Sequence, residues 1–367
     1  MDIQLIKLNY DSACDFSEGM ASVCRDGKWG FIDTSGKEVV PCKYDCVDAF
    51  HEGMARVNIG GQWCYSEMDD EQYISGGKTG FVDRTGREVI PCQYIHADYF
   101  HDGLAQVQDG NDIIYIDKSG HRAGPSIKVC SDTFSEGLAK LYNDKGKHGY
   151  IDKTGSEVIP CIYDDAGDFH EGLARVERNK KWGFIDHSGR EVVPCKYEAV
   201  SDFHEGMARV WIGGEWNYDE EEGETFLSGG KIGYIDKSGR EVIPCQYDYA
   251  KDFHDGLACV NIGEKEYGFI DKTGRVVIKD VHPYTVFSEG LAGFRSGHKA
   301  GYIDATGRVA IPARFDQAYD FHDGLAMVKE NRIWGFIDKS GKMVIEYKTE
   351  PAPAPPKYPV SDDELPF

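Results

Sequence analysis

The sequence lacks the features that would place it in several large functional classes. No apolar run in its 367 residues approaches the roughly 20 that a helix needs to span a bilayer. The opening MDIQLIKLNYDSACDF has no basic segment followed by an apolar stretch and a small-residue cleavage site. The expectation is therefore a cytoplasmic protein without membrane insertion, secretion of a processed form being the alternative. Basic residues are scarce: 41 Lys+Arg stand against 63 Asp+Glu, a formal charge of −22. Such a surface repels nucleic-acid phosphates and anionic lipids, and a solvated, soluble exterior is the simpler reading than an acidic mimic of DNA. The eleven cysteines form no CxxC pair, which fits free thiols in a reducing compartment better than zinc or a disulfide framework. No GxxxxGK[ST] phosphate loop occurs.

What the sequence does contain is repetition. The phrase F-[SH]-[ED]-G-[LM]-A begins at Phe16, Phe50, Phe100, Phe134, Phe169, Phe203, Phe253, Phe287 and Phe321. A second phrase, aromatic–aliphatic–Asp–x–Ser/Thr–Gly, as at Phe31 to Gly36, also recurs nine times, and a third reads VIPCxY or close to it, as at Val39 to Tyr44. Most steps between the Phe residues are 34 or 35 positions, and a longer step of 50 returns after four repeats. Phe16 to Phe169 and Phe50 to Phe203 are each 153 positions apart, so an older duplication underlies the array. Even the defects pair up, because the third phrase is degraded around Ile127-Lys128 and again around Ile278-Lys279. The reading is an array over residues 1–347: blocks of four repeats at 16–168 and 169–320, a ninth repeat at 321–347, and a leading strand before Phe16. A Pro-rich, acidic tail at 348–367 is expected to be disordered.

Each phrase has a physical role. The run after the first Gly, such as Leu173 to Val176, reads as a short strand. The adjacent aromatic and aliphatic residues of the second phrase suit a strand covered on both faces. Its Asp can accept backbone N–H groups one turn on while Gly supplies positive φ, so Asp-x-Ser/Thr-Gly predicts a hairpin into a third strand that ends at Pro. The YDxAxDF stretch is expected to make one helical or 3₁₀ turn. A unit of about 34 residues cannot bury an adequate core alone, so neighbouring units must cover one another. The fold class expected is all-β: a tandem array of about nine three-stranded β-meander units. Three strands fall short of a four-stranded propeller blade, and an open solenoid or superhelix is therefore favoured over a closed propeller.

The segments GKWGFIDTSGKEVVPCKYD at Gly27 to Asp45, KKWGFIDHSGREVVPCKYE at Lys180 to Glu198 and IWGFIDKSG at Ile333 to Gly341 resemble the WG-repeat, or KWG-repeat, family of bacterial proteins. The likeness runs from about residue 1 to about 347. It implies a repeat array and supplies no catalytic residue to carry over. The chain keeps Trp before the Gly only at Trp29, Trp182 and Trp334, which argues against that Trp as a repeated ligand cage.

Repetition also decides how candidate chemistry is read. Histidine follows the repeat Phe at His51, His101, His170, His204, His254 and His322, but Ser17, Ser135 and Ser288 hold the same place in other copies. Ser and His share hydrogen bonding and not zinc affinity, so this ladder is read as structural. Cys42, Cys92, Cys161, Cys195 and Cys245 are read as small buried side chains. The nine second-phrase aspartates, Asp33 among them, are read as turn residues, since an active site would occur once or twice.

The exceptions to repetition carry more information. Two insertions enlarge the connection between the first and second strands of a repeat, from Asn58 to Gly77 and from Trp211 to Gly230. Each joins aromatics to a carboxylate cluster. The candidate partner-binding residues are Trp63, Tyr65, Trp216 and Tyr218 as anchors, with Glu220, Glu221 and Glu222 attracting a basic protein. The simpler alternative is that the rings only pack their own hairpins, and calcium binding by 219–224 is a lesser one. The functional expectation is a non-catalytic, cofactor-free scaffold for protein–protein interaction. A carbohydrate- or cell-surface-binding module is the alternative, and an enzyme stands third.

Overall fold

A computed structural model describes residues 5–66, 71–123, 133–218, 225–263, 266–280 and 286–347. Among these, nine sheets of three to five strands, antiparallel but for one parallel pair, follow one another along the chain, accompanied by one two-stranded hairpin. Each sheet is one repeat, here called a blade and numbered in chain order. Blade 5 is the full pattern: Asp165–His170, Leu173–Arg178, Lys181–Asp186 and Glu191–Tyr197.

The first of these strands corrects the expected count of three. The YDxAxDF stretch is not a helical turn: in blades 1, 5 and 9 it is a six-residue strand, Ser12–Ser17, Asp165–His170 and Gln317–His322. A β-bulge between Ala166 and Phe169 lets both side chains reach the core from one strand, so the polar residues that suggested a turn occupy the bulge. Where this strand is added to the other three, the repeat has the four strands of a propeller blade, and the objection from strand count falls away.

The array is also not open. The strand Ile6–Leu8 runs parallel on Met343–Tyr347, the outer strand of blade 9, with Ile6 opposite Ile345 and Leu8 opposite Tyr347. Two contacts that join successive blades join the last to the first as well. Phe31 meets Phe50 of the next blade edge-on at 4.9 Å, and Phe336 meets Phe16 in the same way at 4.9 Å. The Glu18 carboxylate accepts the N–H of Gly53, and Asp323 accepts the N–H of Gly19 at 2.7 Å. A solenoid would leave these end faces bare. The protein is instead a nine-bladed β-propeller, which replaces the open form favoured from the sequence. The physical reason is that each repeat is sticky on both sides, and the ninth finds its missing neighbour in the first.

By contact density the chain divides into two compact units. One holds residues 1–126 with 291–304 and 309–359; the other holds 127–290 with 305–308 and 360–367. In each, the core lies between blades. Met20, Trp29, Phe31, Val40 and Tyr44 of blade 1 pack on Val47, Phe50, Ala55, Val57 and Val82 of blade 2. In the second unit Leu173, Phe184, Val193 and Tyr197 of blade 5 pack on Val200, Phe203, Ala208, Val210 and Ile235 of blade 6. The alternation of apolar residues within a strand thus serves two blades at once.

The Gly of the second phrase has a specific task. A Cβ on Gly30 would lie 2.3 Å from the carbonyl oxygen of Val40, where the outer strand bulges inward at Pro41-Cys42. The bulge sets Cys42 Sγ 3.6 Å from the carbonyl of Val23, two strands away, and Cys92, Cys161, Cys195 and Cys245 repeat the contact. Burial, reinforced by Glu38, pushes the Cys42 thiol up to about 11, so it is protonated at neutral pH.

Candidate interaction surface

Both insertions are hairpins that prolong the two central strands of a blade. In blade 2, Met54–Ser66 pairs with Glu71–Asp83 along nearly its whole length, with Trp63 opposite Ile74 and Tyr65 opposite Gln72. The ladder is interrupted once, where Ile59 pairs with Lys78 and the next pair is Gly61 with Gly76. Gly60, Gly76 and Gly77 all have positive φ there. A Cβ on Gly77 would sit 2.3 Å from Asn58 Oδ1 and 2.4 Å from the nitrogen of Gly61. Buried Asn58 fixes this joint: its Oδ1 accepts the N–H of Gly61 and its Nδ2 donates to Thr79 Oγ1 at 3.1 Å.

In blade 6 the break is sharper. Met207–Ile212 pairs with Lys231–Asp236 as far as Ile212 and Lys231. Gly213, Gly214, Gly229 and Gly230 then all adopt positive φ, and a separate two-stranded sheet follows, Glu215–Tyr218 with Thr225–Ser228. Positive φ strains most side chains, so glycines fill the four positions between the end of the blade's ladder and the arm's own sheet. Asn217 Nδ2 donates to the Glu215 carbonyl at 2.8 Å and to Ser228 Oγ at 2.6 Å, bracing the arm across its strands. Trp216, opposite Leu227, is 52% exposed, and Ile212 at the root is 47% exposed.

The sequence-selected residues are therefore placed unequally. Trp216 is an exposed ring on a braced hairpin, while Trp63, Tyr65 and Tyr218 are placed by backbone pairing, their side chains lying outside the described part. Glu220, Glu221 and Glu222, with the calcium reading of 219–224, lie outside the described residues, as does the tail at 348–367. The recurring Trp is a different matter: Trp29 and Trp334 are buried in the core.

The other candidate chemistry resolves into structure. His51 Nδ1 lies 2.8 Å from the carbonyl of Phe100, the place that Ser17 Oγ takes on Phe50 and Ser135 Oγ takes on Phe169. His and Ser thus tie one blade to the repeat Phe of the next. The turn aspartates behave alike. Asp33 Oδ1 accepts from the N–H groups of Ser35 and Lys37 and from the Ser35 hydroxyl. Among the described residues no group of three or more His, Cys, Asp or Glu is spaced to hold a metal ion.

One polar cluster was not read from the sequence, although Asp252 is the second Asp of the YDxAxDF stretch and His204 follows a repeat Phe. Arg209 grips buried Asp252 through Nε and Nη2, both at 2.8 Å, while Ser201 Oγ donates to the same carboxylate and His204 Nε2 stands 4.0 Å away. Burial opposes ionisation of Asp252, but Arg209 outweighs it and the carboxyl is held below its ordinary range. In the neighbouring blade, burial wins at Asp202 and its carboxyl is raised, because Arg175 Nε stands 3.5 Å off. Both tie one blade to the next within the unit.

Blades built from one short unit, closed by joining the ends, define the class as a repeat β-propeller. Comparison of the sequence with family profiles places matches to the WG containing repeat at 4–29, 29–63, 80–111, 149–182, 182–216, 232–265, 267–299, 301–332 and 334–348. The chain belongs to that family. The matches break at both arms, over 64–79 and 217–231, and also over 112–148. No curated protein matches the chain. Among solved structures it is similar to a eukaryotic initiation factor, at 11% identity and a TM-score of 0.44 over 93% of this chain and 88% of that one. It is also similar to BamB from Moraxella catarrhalis, at 8% identity and a TM-score of 0.37 over 91% of this chain and 98% of that one.

Proposed function

We propose that this propeller is a non-catalytic scaffold that binds another protein through its hairpin arms. The observation that carries the reading is the arm of blade 6. It extends beyond the family match, which ends at Trp216, begins where four positive-φ glycines end the blade's ladder, and carries Trp216 exposed on a braced two-stranded sheet. A large ring held in water by a rigid support is the form that interface anchors take, and covering it on binding contributes on the order of 2 kcal/mol. The acidic run beside it, Asp219 to Glu224, gives the arm a basic partner. A protein partner is favoured over a carbohydrate because two of the recurring aromatics that suggested sugar stacking, Trp29 and Trp334, belong to the core.

The test is affinity capture from the native host with three baits: wild type, Trp63→Ala with Trp216→Ala, and a chain in which Gly213 to Gly230 is replaced by a two-residue turn. The expected result is a protein retained by wild type and lost with both variants while their thermal midpoints stay within a few degrees. Identical captured proteins from all three baits would rule out the arms.

A further inference from the structure

Outer strands are the exposed edges of these sheets, and six of them are protected in one way. Glu38–Tyr44, Glu88–Tyr94, Glu157–Tyr163, Glu191–Tyr197, Glu241–Tyr247 and Val309–Phe315 each carry a proline followed by a bulge, seen as a register shift against the central strand. Proline offers no N–H to a visiting strand and the bulge spoils its register. Two described outer strands, Met343–Tyr347 of blade 9 and Val276–Lys279 of blade 7, carry no proline and lack the shift beside it, keeping only the one near the hairpin turn. The first is already occupied, by the closing strand Ile6–Leu8. The second has no strand beyond it among the described residues.

The two edges are equivalent residue by residue. Phe336 pairs with Ile345 and Gly335 with Glu346; Phe269 pairs with Ile278 and Gly268 with Lys279. Lys279 therefore stands where Glu346 stands, with the charge reversed. On blade 9, Lys7 of the closing strand faces Glu346 at 3.2 Å. On blade 7, Lys279 is exposed, Arg275 at the start of the strand is exposed, and Asp280 turns out of the strand at φ 57°. Arg275 is paired with Asp271 at 3.2 Å, so Lys279 is the cation that this edge offers to a visiting strand.

We propose that Val276–Lys279 is a strand-addition site for an extended segment of a partner protein. The segment runs parallel to it with an apolar residue opposite Ile278 and an acidic one opposite Lys279, the places that Ile6 and Lys7 take on Ile345 and Glu346. Backbone hydrogen bonds supply affinity in this mode of recognition, and the one charge sets selectivity. The site is separate from the arms and does not depend on them.

The test uses two labelled peptides, residues 3–10 of this chain and the same segment with Lys7→Glu, titrated against the full-length protein and against its Lys279→Glu variant. The Lys7→Glu peptide is expected to bind wild type at least tenfold more tightly than the unaltered peptide, and Lys279→Glu to invert that order. Hydrogen exchange on the complex should slow at 276–279 and stay unchanged at 343–347. The proposal is overturned by equal binding of the two peptides, by binding insensitive to Lys279, by protection at 343–347 instead, or by no binding at millimolar peptide. Lys279 is exposed, so the variant is expected to fold, and the exchange pattern reads the site in wild type regardless.

Discussion

At the scale of single residues, three types carry the repeat and each answers a steric or hydrogen-bonding demand. The Asp of the hairpin turn collects two N–H groups and a hydroxyl, and the acid after the repeat Phe accepts the N–H of a glycine in the next blade. The Gly before the aromatic leaves room for the Pro-Cys bulge. Gly30→Ala would press a methyl group into the Val40 carbonyl, which cannot yield without moving the outer strand. The expected loss is about 3 kcal/mol, the upper part of the range for overpacked sites, read from urea denaturation of the two proteins. An unchanged midpoint would show that the bulge moves freely. The importance of this glycine was legible from its recurrence, but its reason was not, because the obstacle is a backbone some ten residues further along.

Among elements, the closing strand Ile6–Leu8 has the most leverage for its size. Ile6 lies under the turn of blade 1, within 3.1 Å of where a Cβ on Gly36 would be, while the same strand pairs with blade 9. Replacing both apolar residues, Ile6→Asp with Leu8→Asp, removes that cover and places carboxylates beside Glu346. Stability should fall by about 2 kcal/mol, as expected for two half-buried aliphatic side chains, and the midpoint of chemical denaturation reports it. If the double variant matches wild type, the strand is not what holds the ends together. The sequence marked a leading strand before Phe16, yet its partner lies some 340 positions away and left no local trace. The YDxAxDF strand was missed for a related reason: its polar residues read as a turn until the neighbouring strand made them a bulge.

For the whole molecule, acidity is the governing property. The turn carboxylates Asp33, Asp83, Asp117, Asp152, Asp236, Asp271 and Asp338 are held below the ordinary range by donors of their turns, and the Ser188 hydroxyl with Arg190 holds Asp186 down to about 2. Glu18, Glu52, Glu171 and Glu205, which tie blade to blade, are lowered in spite of burial, through their cationic partners and the N–H groups they accept. Groups depressed in the folded state stabilise it fully above their unfolded values, near pH 4, and lose that contribution as pH falls through the folded ones. Asp202 and Glu177, raised by burial, act in the opposite sense but are far fewer. Thermal midpoints should hold from pH 7 to about 5 and drop steeply between about 4 and 2; a flat profile over that interval would show that these carboxylates do not hold the fold.

The sequence by itself determined the repeat unit, its hairpins, its turn chemistry and the positions of both arms, because these follow from residue types a few positions apart. Only the tertiary structure decided that the array closes. Closure depends on whether the faces of the first and ninth copies meet, and on an outer strand without proline being available where the chain's opening segment arrives. It also decided that the aromatic of one repeat packs on the Phe of the next and that Trp216 stands in water while Trp29 and Trp334 do not. Those outcomes depend on contacts between neighbouring repeats and on a pairing some 340 positions apart, which no window of thirty-odd residues contains.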